Sequence, residues 1–288
     1  MLNPQWLKTL KVVISEQGFQ AAAERLSISQ PTVSLHVSKL EQQLGVALIK
    51  RNRSACYPTQ SAKRLLPFID SILKLNQQAV EAIKTDSIRV GSSSNIGIYM
   101  LQPYVRSYLD KPDSAQIKLM IDDNPTIVNK MANFELDVAV VEWWQPIAGF
   151  VAKLWRVEPL VMITSPKHPM AELDDISLDQ LQYIDLIGGE KGTGTGRILS
   201  EKFNGKLKVP GVSMQLGSTE AVKQAVKENL GVSLVSASTI IDEVGRGTLA
   251  AVPIAGGTLN KTLLIVQREE TVADASYQSF IQHIGEYR

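Results

Sequence analysis

The stretch from Glu16 to Gly45, EQGFQAAAERLSISQPTVSLHVSKLEQQLG, constrains the fold more than any other part of this chain. Its spacing predicts two short helices around a tight polar turn. The first covers roughly residues 19–26, where Ala21, Ala22, Ala23 and Leu26 form small apolar faces that let a second helix approach closely. Ser27-Ile28-Ser29 makes the turn, with Ile28 directed into the core. Ser29 is a good N-cap, and Pro31 falls in the first turn, where a missing N–H costs nothing. The second helix runs from Gln30 to about Leu44 and buries Val33, Val37, Leu40 and Leu44 as one stripe. Gly45 ends it.

The other face of that helix carries Gln30, Thr32, Ser34, His36 and Lys39. Short donors and acceptors near a helix start suit an element that enters the major groove of DNA. A solvated polar face is the alternative. The Ala-rich helix and short turn ahead of it favour the first reading, because together they make a helix-turn-helix unit. Asn3-Pro4 opens an earlier helix with Trp6, Leu7, Leu10, Val13 and Ile14 on its apolar side. After it, Val46 to Ile49 and Ala55 to Thr59 read as short strands around the basic turn Lys50-Arg51-Asn52-Arg53-Ser54. This wing would lay Arg51 and Arg53 against phosphate or a minor groove.

Charge separates the two parts of the chain. The formal net charge of the 288 residues is only +1, yet residues 1–84 hold 11 Lys and Arg against 5 Asp and Glu, and the rest holds 19 against 24. The first part is built to meet a polyanion. Residues 59–84 read as one long helix with Leu65, Leu66, Ile69, Ile72, Leu73, Val80 and Ile83 in helical repeat, and Pro67 marks a bend or a late start. Such a helix calls for a partner, most simply a second copy of itself.

From Ser87 the texture is strand, helix, strand, helix, strand, and then the pattern repeats, which is α/β. Two similar lobes follow, lobe I at about 87–163 and 267–288 and lobe II at about 164–266. The crossings are expected near Ile163-Thr164 and Val266-Gln267, around a cleft that can close on a ligand. Loops after strand ends face such a cleft. They supply Ser92, Ser93, Ser94 and Asn95, then Asn124 and Thr126, then Thr193 and Thr195 of the Gly192–Gly196 loop with Arg197 beside it. Hydroxyls and amides at helix starts favour anions or carboxylates. Trp143-Trp144 could line the cleft mouth.

Other chemistries find no support in the residues. The glycine loops lack both G-x-G-x-x-G and the P-loop lysine. His36, His168 and His283 are scattered and Cys56 is alone, so no metal site, catalytic residue or cofactor is expected. The single cysteine suits a reducing compartment. The start MLNPQWLKTLK lacks an apolar signal segment, and no apolar run reaches transmembrane length, so a cytoplasmic, non-membrane protein is expected.

The chain resembles LysR-type transcriptional regulators. The resemblance rests on Phe19-Gln-Ala-Ala-Ala-Glu-Arg-Leu26, Ser29-Gln-Pro-Thr-Val-Ser34, Lys39-Leu-Glu-Gln-Gln-Leu-Gly-Val46, Leu48-Ile-Lys-Arg51 and Pro58-Thr-Gln-Ser-Ala62. It implies a mainly α winged helix-turn-helix at 1–59, a linker and dimerisation helix at 60–86, and a two-lobed α/β effector domain like that of periplasmic binding proteins at 87–288. It also implies double-stranded DNA at a promoter operator, a small-molecule effector, self-association as a dimer and a tetramer, and RNA polymerase as partners. Gln30, Pro31 and Ser34 match positions that meet DNA. The sequence departs from the usual pattern at Leu35, where many members carry Arg, at His36, at Ala62 and at Gly196. A small-molecule-binding protein whose helical head serves assembly alone, and an α/β enzyme, are the competing readings.

Overall fold

The computed structural model describes residues 1–51, 56–84, 87–189, 191–203, 207–257, 259–272 and 274–286. The chain divides into two compact units, Met1–Asp86 and Ser87–Arg288.

The first unit runs α1 (Pro4–Ser15), α2 (Phe19–Leu26), α3 (Gln30–Leu44), β1 (Ile49–Arg51), β2 (Cys56–Pro58) and α4 (Gln60–Lys84). Asn3 caps α1 by accepting from the Gln5 amide at 2.8 Å, and Ser29 caps α3 by accepting from the Thr32 amide at 3.3 Å. Gly45 ends α3 at φ 68°, a left-handed conformation that a side chain would strain. Leu7, Leu10, Val13, Ala22, Val33, Val37, Leu40 and Ile69 form the buried core. Leu44 departs from the expected stripe and is 37% exposed. The core stops at Leu40, and the last turn of α3 runs past it.

The wing begins later than its apolar run suggests. The side chain of Glu41 accepts from the amides of Leu48 at 2.7 Å and Ile49 at 3.1 Å, so the chain from Val46 to Leu48 is an entry held on α3, and the strand starts at Ile49. The ladder pairs Ile49 with Pro58 and Arg51 with Cys56. The Cys56 amide donates to the Gln17 carbonyl at 2.8 Å, which ties β2 to the turn before α2. Thr59 donates to the Ala47 carbonyl at 2.8 Å and accepts from the Ala62 amide at 3.1 Å, closing the wing and starting α4 together. Pro67 lies inside α4, which is one 25-residue helix. Arg53 falls outside the described residues.

The second unit runs β3 (Ser87–Ser93), α5 (Ser94–Tyr99), α6 (Gln102–Leu109), β4 (Gln116–Asp122), α7 (Asn124–Ala132), β5 (Val138–Val141), β6 (Phe150–Thr164), α8 (Leu178–Leu181), β7 (Asp185–Ile187), α9 (Gly194–Phe203), β8 (Gly211–Met214), α10 (Thr219–Lys227), β9 (Ser233–Ser236), α11 (Ile241–Gly245), β10 (Ala250–Pro253), β11 (Asn260–Arg268) and α12 (Ala275–Glu286). In the first lobe β4, β3 and β5 are parallel, and β11 and the first part of β6 continue the sheet antiparallel. Ile88, Val90, Leu101, Tyr108, Val138 and Phe280 lead its core. In the second lobe the end of β6 pairs with β9 and β10, and β7 pairs with β8. Leu160, Leu186, Leu199, Phe203, Val232 and Val252 pack there.

The crossings differ from expectation. β6 pairs with β11 up to Pro159, opposite Asn260, and from Leu160 onward with β9 and β10. The lobes therefore meet at residues 159–160 and 259–260, not at Ile163-Thr164 and Val266-Gln267. The change of partners falls at the edges of the apolar runs, Leu160–Ile163 in β6 and Leu263–Val266 in β11, where Glu158-Pro159 and Asn260-Lys261 read as strand flanks rather than as a junction. Glu158 holds this junction while buried. It accepts from the Ser238 amide at 2.7 Å and from Arg156 at 2.9 Å.

Candidate functional site

In the first unit the outward side of α3 carries Gln30, Pro31, Thr32, Ser34 and Lys39, none of them buried. Gln30 donates its amide to the Ser34 hydroxyl at 2.9 Å, one turn along, so the two side chains are aligned in advance. His36 does not belong to this side. It is buried, 9% exposed, against α1, where its Nδ1 lies 2.9 Å from the Thr9 hydroxyl. Thr9 spends its one hydrogen on the Gln5 carbonyl at 2.8 Å, so Nδ1 of His36 is the donor and Nε2 the site that would take a proton. The expectation failed because His36 lies one turn before Leu40 and one turn after Val33, which puts it at the border of the buried stripe.

Burial, and then the nearby Lys39, hold the His36 pKa below its ordinary 6.5. A depressed histidine pKa favours the neutral ring in the folded state. Its contribution to stability is therefore present above pH 6.5 and is lost as pH falls through the folded value. The thermal midpoint of the first unit is expected to drop on acidification across this window, and in His36→Gln the drop shrinks. An identical pH profile in the variant would remove His36 as its source.

In the second unit a cavity of about 490 Å³ opens between the lobes, lined by Ser93, Ser94, Asn95, Tyr99, Asn124, Glu142, Trp143, Thr193, Thr195, Thr219, Glu220 and Lys261 among others. The ends of β3, β4 and β5 supply one wall and the start of α9 and α10 the other. Ser93 is 2% exposed, and its hydroxyl has no hydrogen-bond partner. Thr193 accepts from the Gly196 amide at 3.0 Å, capping the first turn of α9. Contacts cross the cleft. Thr219 donates to Asn95 at 2.8 Å, the Tyr99 hydroxyl donates to Glu220 at 3.4 Å, and the Lys223 ammonium sits 4.7 Å from the Tyr99 ring centre.

Lys223 is buried among Glu220 at 2.9 Å, Glu243 at 2.8 Å and the Thr239 carbonyl at 3.1 Å. Burial works against its charge, and the two glutamates outweigh it, so the ammonium titrates above the ordinary lysine range. The hydrogen bond from Lys223 in turn holds Glu220 below the usual carboxylate range. Burial raises the Tyr99 phenol.

Four of the expected effector contacts are placed differently. Ser92 is the buried last-but-one residue of β3, and its hydroxyl turns to the Ser93 carbonyl rather than to the cleft. The serine run reads as a loop, yet strand pairing with β4 continues to Ser93. Thr126 lies outside the cleft lining, and its amide is occupied by Asp123 at 2.7 Å. Arg197 also lies outside it. It pairs with Glu201 at 2.8 Å and stacks over Trp143 at 5.7 Å, because α9 begins at Gly194 and turns residue 197 away. Asn124 lines the cavity but is a clasp, accepting from the Glu142 amide at 2.8 Å and donating to the Trp143 carbonyl at 3.1 Å.

The pair that the sequence did not disclose is Glu142 and Lys261. Lys261 reaches both oxygens of Glu142 at 3.1 Å, with side-chain exposures of 2% and 8%. Glu142 lies against Gly194 so closely that a Cβ there would overlap its Oε2. Gly194 thus admits the carboxylate to the start of α9. Glu142 follows directly on β5 and could have been found by the strand-end rule that picked Ser93. Lys261 heads an apolar strand and reads as a solvated flank.

Comparison with known proteins accounts for both units. Residues 4–63 match the bacterial regulatory helix-turn-helix protein model of the lysR family, and residues 84–288 match the LysR substrate binding domain. The chain belongs to the LysR family of transcriptional regulators. It is similar to the HTH-type transcriptional regulator protein PtxE of Stutzerimonas stutzeri, 45% identical over 196 residues, which are 68% of this chain and 100% of that one. Full-length CbnR, solved with its target DNA, shares the fold at 18% identity and a TM-score of 0.58, covering 98% of both chains. The CcmR regulatory domain of Synechocystis PCC6803, solved with 2-PG, shares it at 23% identity and a TM-score of 0.61, covering 69% of this chain and 95% of that one. As a LysR-family chain the protein is a regulator with an effector-binding domain, not an enzyme. Among the described residues no helix is long and apolar enough to cross a membrane.

Proposed function

We propose that this LysR-family regulator reads a promoter operator in the cytoplasm with the outward side of α3, and that a small anionic or carboxylate-bearing metabolite held between the lobes of its second unit controls the outcome. The buried, unpartnered hydroxyl of Ser93 in the cleft wall carries the effector reading, since a buried donor without a partner is costly unless a ligand completes it. Lys261 is neutralised by Glu142, so the ligand is met mainly by hydroxyl and amide donors, with Asn95, Thr193 and Thr195 beside Ser93, while the Ser94 hydroxyl donates to the Asp122 carbonyl at 3.0 Å. The CcmR regulatory domain, solved in complex with 2-PG, supports a small-molecule ligand for a domain of this fold.

On the DNA side, the excess of basic residues in 1–84 and the aligned Gln30 and Ser34 support operator reading. Arg51 and Arg53 remain the proposed wing contacts. α4 exposes Phe68, Leu75, Val80 and Ile83, a face suited to a second copy, so the protein acts as a dimer and as a tetramer of paired dimers, with RNA polymerase as the downstream partner.

Selection of genomic fragments by the full-length protein tests the DNA half. The expected result is a two-fold site whose affinity falls steeply with salt. Absence of enrichment with a shallow salt slope would leave a small-molecule-binding protein whose head serves assembly. For the effector half, small carboxylates and inorganic phosphate are titrated against the operator complex. Ser93→Ala is expected to raise the half-maximal concentration of the active compound by about tenfold, for a lost hydrogen bond of about 1.4 kcal/mol. An unchanged response would remove Ser93 from the site.

A further inference from the structure

Leu35 is 51% exposed and takes no part in the core of the first unit. Successive residues of an α-helix turn by about 100°. On α3 this places Leu35 between Pro31, Ser38 and Gln42, all exposed, at the middle of the outward arc. Thr32 and Lys39 flank it closely on one side, and on the other, beyond Pro31 and Ser38, the aligned Ser34 and Gln30 lie toward the edge of the buried stripe. A lone exposed leucine is ordinary on a protein surface. At the centre of a face that otherwise offers hydrogen-bonding and charged groups to base edges, it has one chemical counterpart. The major groove presents a single apolar group, the 5-methyl of thymine. Gln30 is of the type that pairs in two hydrogen bonds with adenine in the same groove.

We infer that Leu35 is a specificity-determining residue that packs on the 5-methyl group of a thymine in each half-site, so that this regulator selects A·T pairs at the centre of its recognition surface. The inference rests on the operator-reading role proposed for α3. It explains how a chain with leucine at this position gains sequence information without another charge. A leucine neutralises no phosphate, so its contribution is confined to sequences that carry the methyl group.

The test uses full-length protein and the fragments that it selects from genomic DNA. Each fragment is resynthesised with deoxyuridine in place of thymidine, which removes only the 5-methyl groups and leaves every hydrogen-bonding group in place. Wild-type protein is expected to bind the uracil form about three- to fivefold more weakly per half-site, the effect of one buried methyl group, and on the order of tenfold over two half-sites. Single replacements then locate the thymine. Leu35→Ala is expected to bind both forms equally while keeping the wild-type melting curve, because Leu35 packs on nothing in the core. Equal wild-type affinity for the two forms overturns the inference. So does a thymine preference that Leu35→Ala retains in full, because the methyl effect then arises from DNA shape or another side chain. If no fragment is selected at all, the operator-reading role itself falls, and this inference with it.

Discussion

Replacing Lys261 by Met lowers the stability of the second unit by about 3–5 kcal/mol, the usual cost of leaving one partner of a buried pair without its counter-charge. Glu142 would stay in the cleft at 8% side-chain exposure with its main cation removed. For a unit of this size such a loss moves the thermal midpoint by roughly 6–20 °C. Trp143, Trp144 and Trp155 all lie in the second unit, so tryptophan fluorescence follows its unfolding while Trp6 reports the first. The double variant Lys261→Met, Glu142→Gln is expected to recover most of the loss, since the stranded charge is gone. An unchanged midpoint in Lys261→Met would mean that the carboxylate finds water without cost, and that the pair contributes little to the stability of the second unit. The same pair bears on control. Glu142 sits at the start of α9, where an anionic ligand would be drawn, so effector responses should be compared in the double variant as well.

Removing Gln30 and Ser34 together by alanine weakens operator binding by about 10- to 100-fold, in line with 1–3 kcal/mol for a good two-bond base contact. Neither side chain neutralises a phosphate, so the dependence of log Kd on log salt keeps its slope. Lys39→Ala should behave oppositely, with a smaller slope by about 1 and a loss shared by all sequences. Fluorescence anisotropy on the selected operator and on a random duplex, at several salt concentrations, separates the two. If the double variant loses the same factor on both duplexes, Gln30 and Ser34 position the helix and do not read bases. Neither residue is buried, so the fold of the first unit should survive both changes.

The first unit was largely legible in the sequence because its signals are local. Asn3, Ser29 and Gly45 act on backbone groups within one helical turn, and the Ala22, Val33, Val37 and Leu40 spacing needs only the helical period to show which side is buried. Side-chain placements near the edge of a stripe were less secure. His36 lies one turn before the buried Leu40, about 40° from it round the helix, and a small rotation decides between groove and core. Its pairing with Thr9 spans 27 positions. In the second unit the alternation of strands and helices gave the α/β class, and the strand-end rule led to Ser93, Ser94, Asn95, Asn124, Thr193 and Thr195 at the cavity. The rule located loops, not side chains. It could not say that Ser92 faces inward, that α9 starts at Gly194, or that Arg197 leaves the cleft to stack on Trp143.

By itself the sequence determined which segments become helix and strand, where the helices of the first unit start and stop, which unit is basic and which family the chain resembles. These depend on interactions between near neighbours, whose geometry the backbone imposes. Only the tertiary structure decided that β6 changes partners at Pro159, that His36 turns to α1, and that Glu142 meets Lys261 across 119 positions of chain. Contacts of that range depend on the path of the whole sheet. No spacing rule records that path, and the same lysine at the head of an apolar strand would read alike whether solvated or buried.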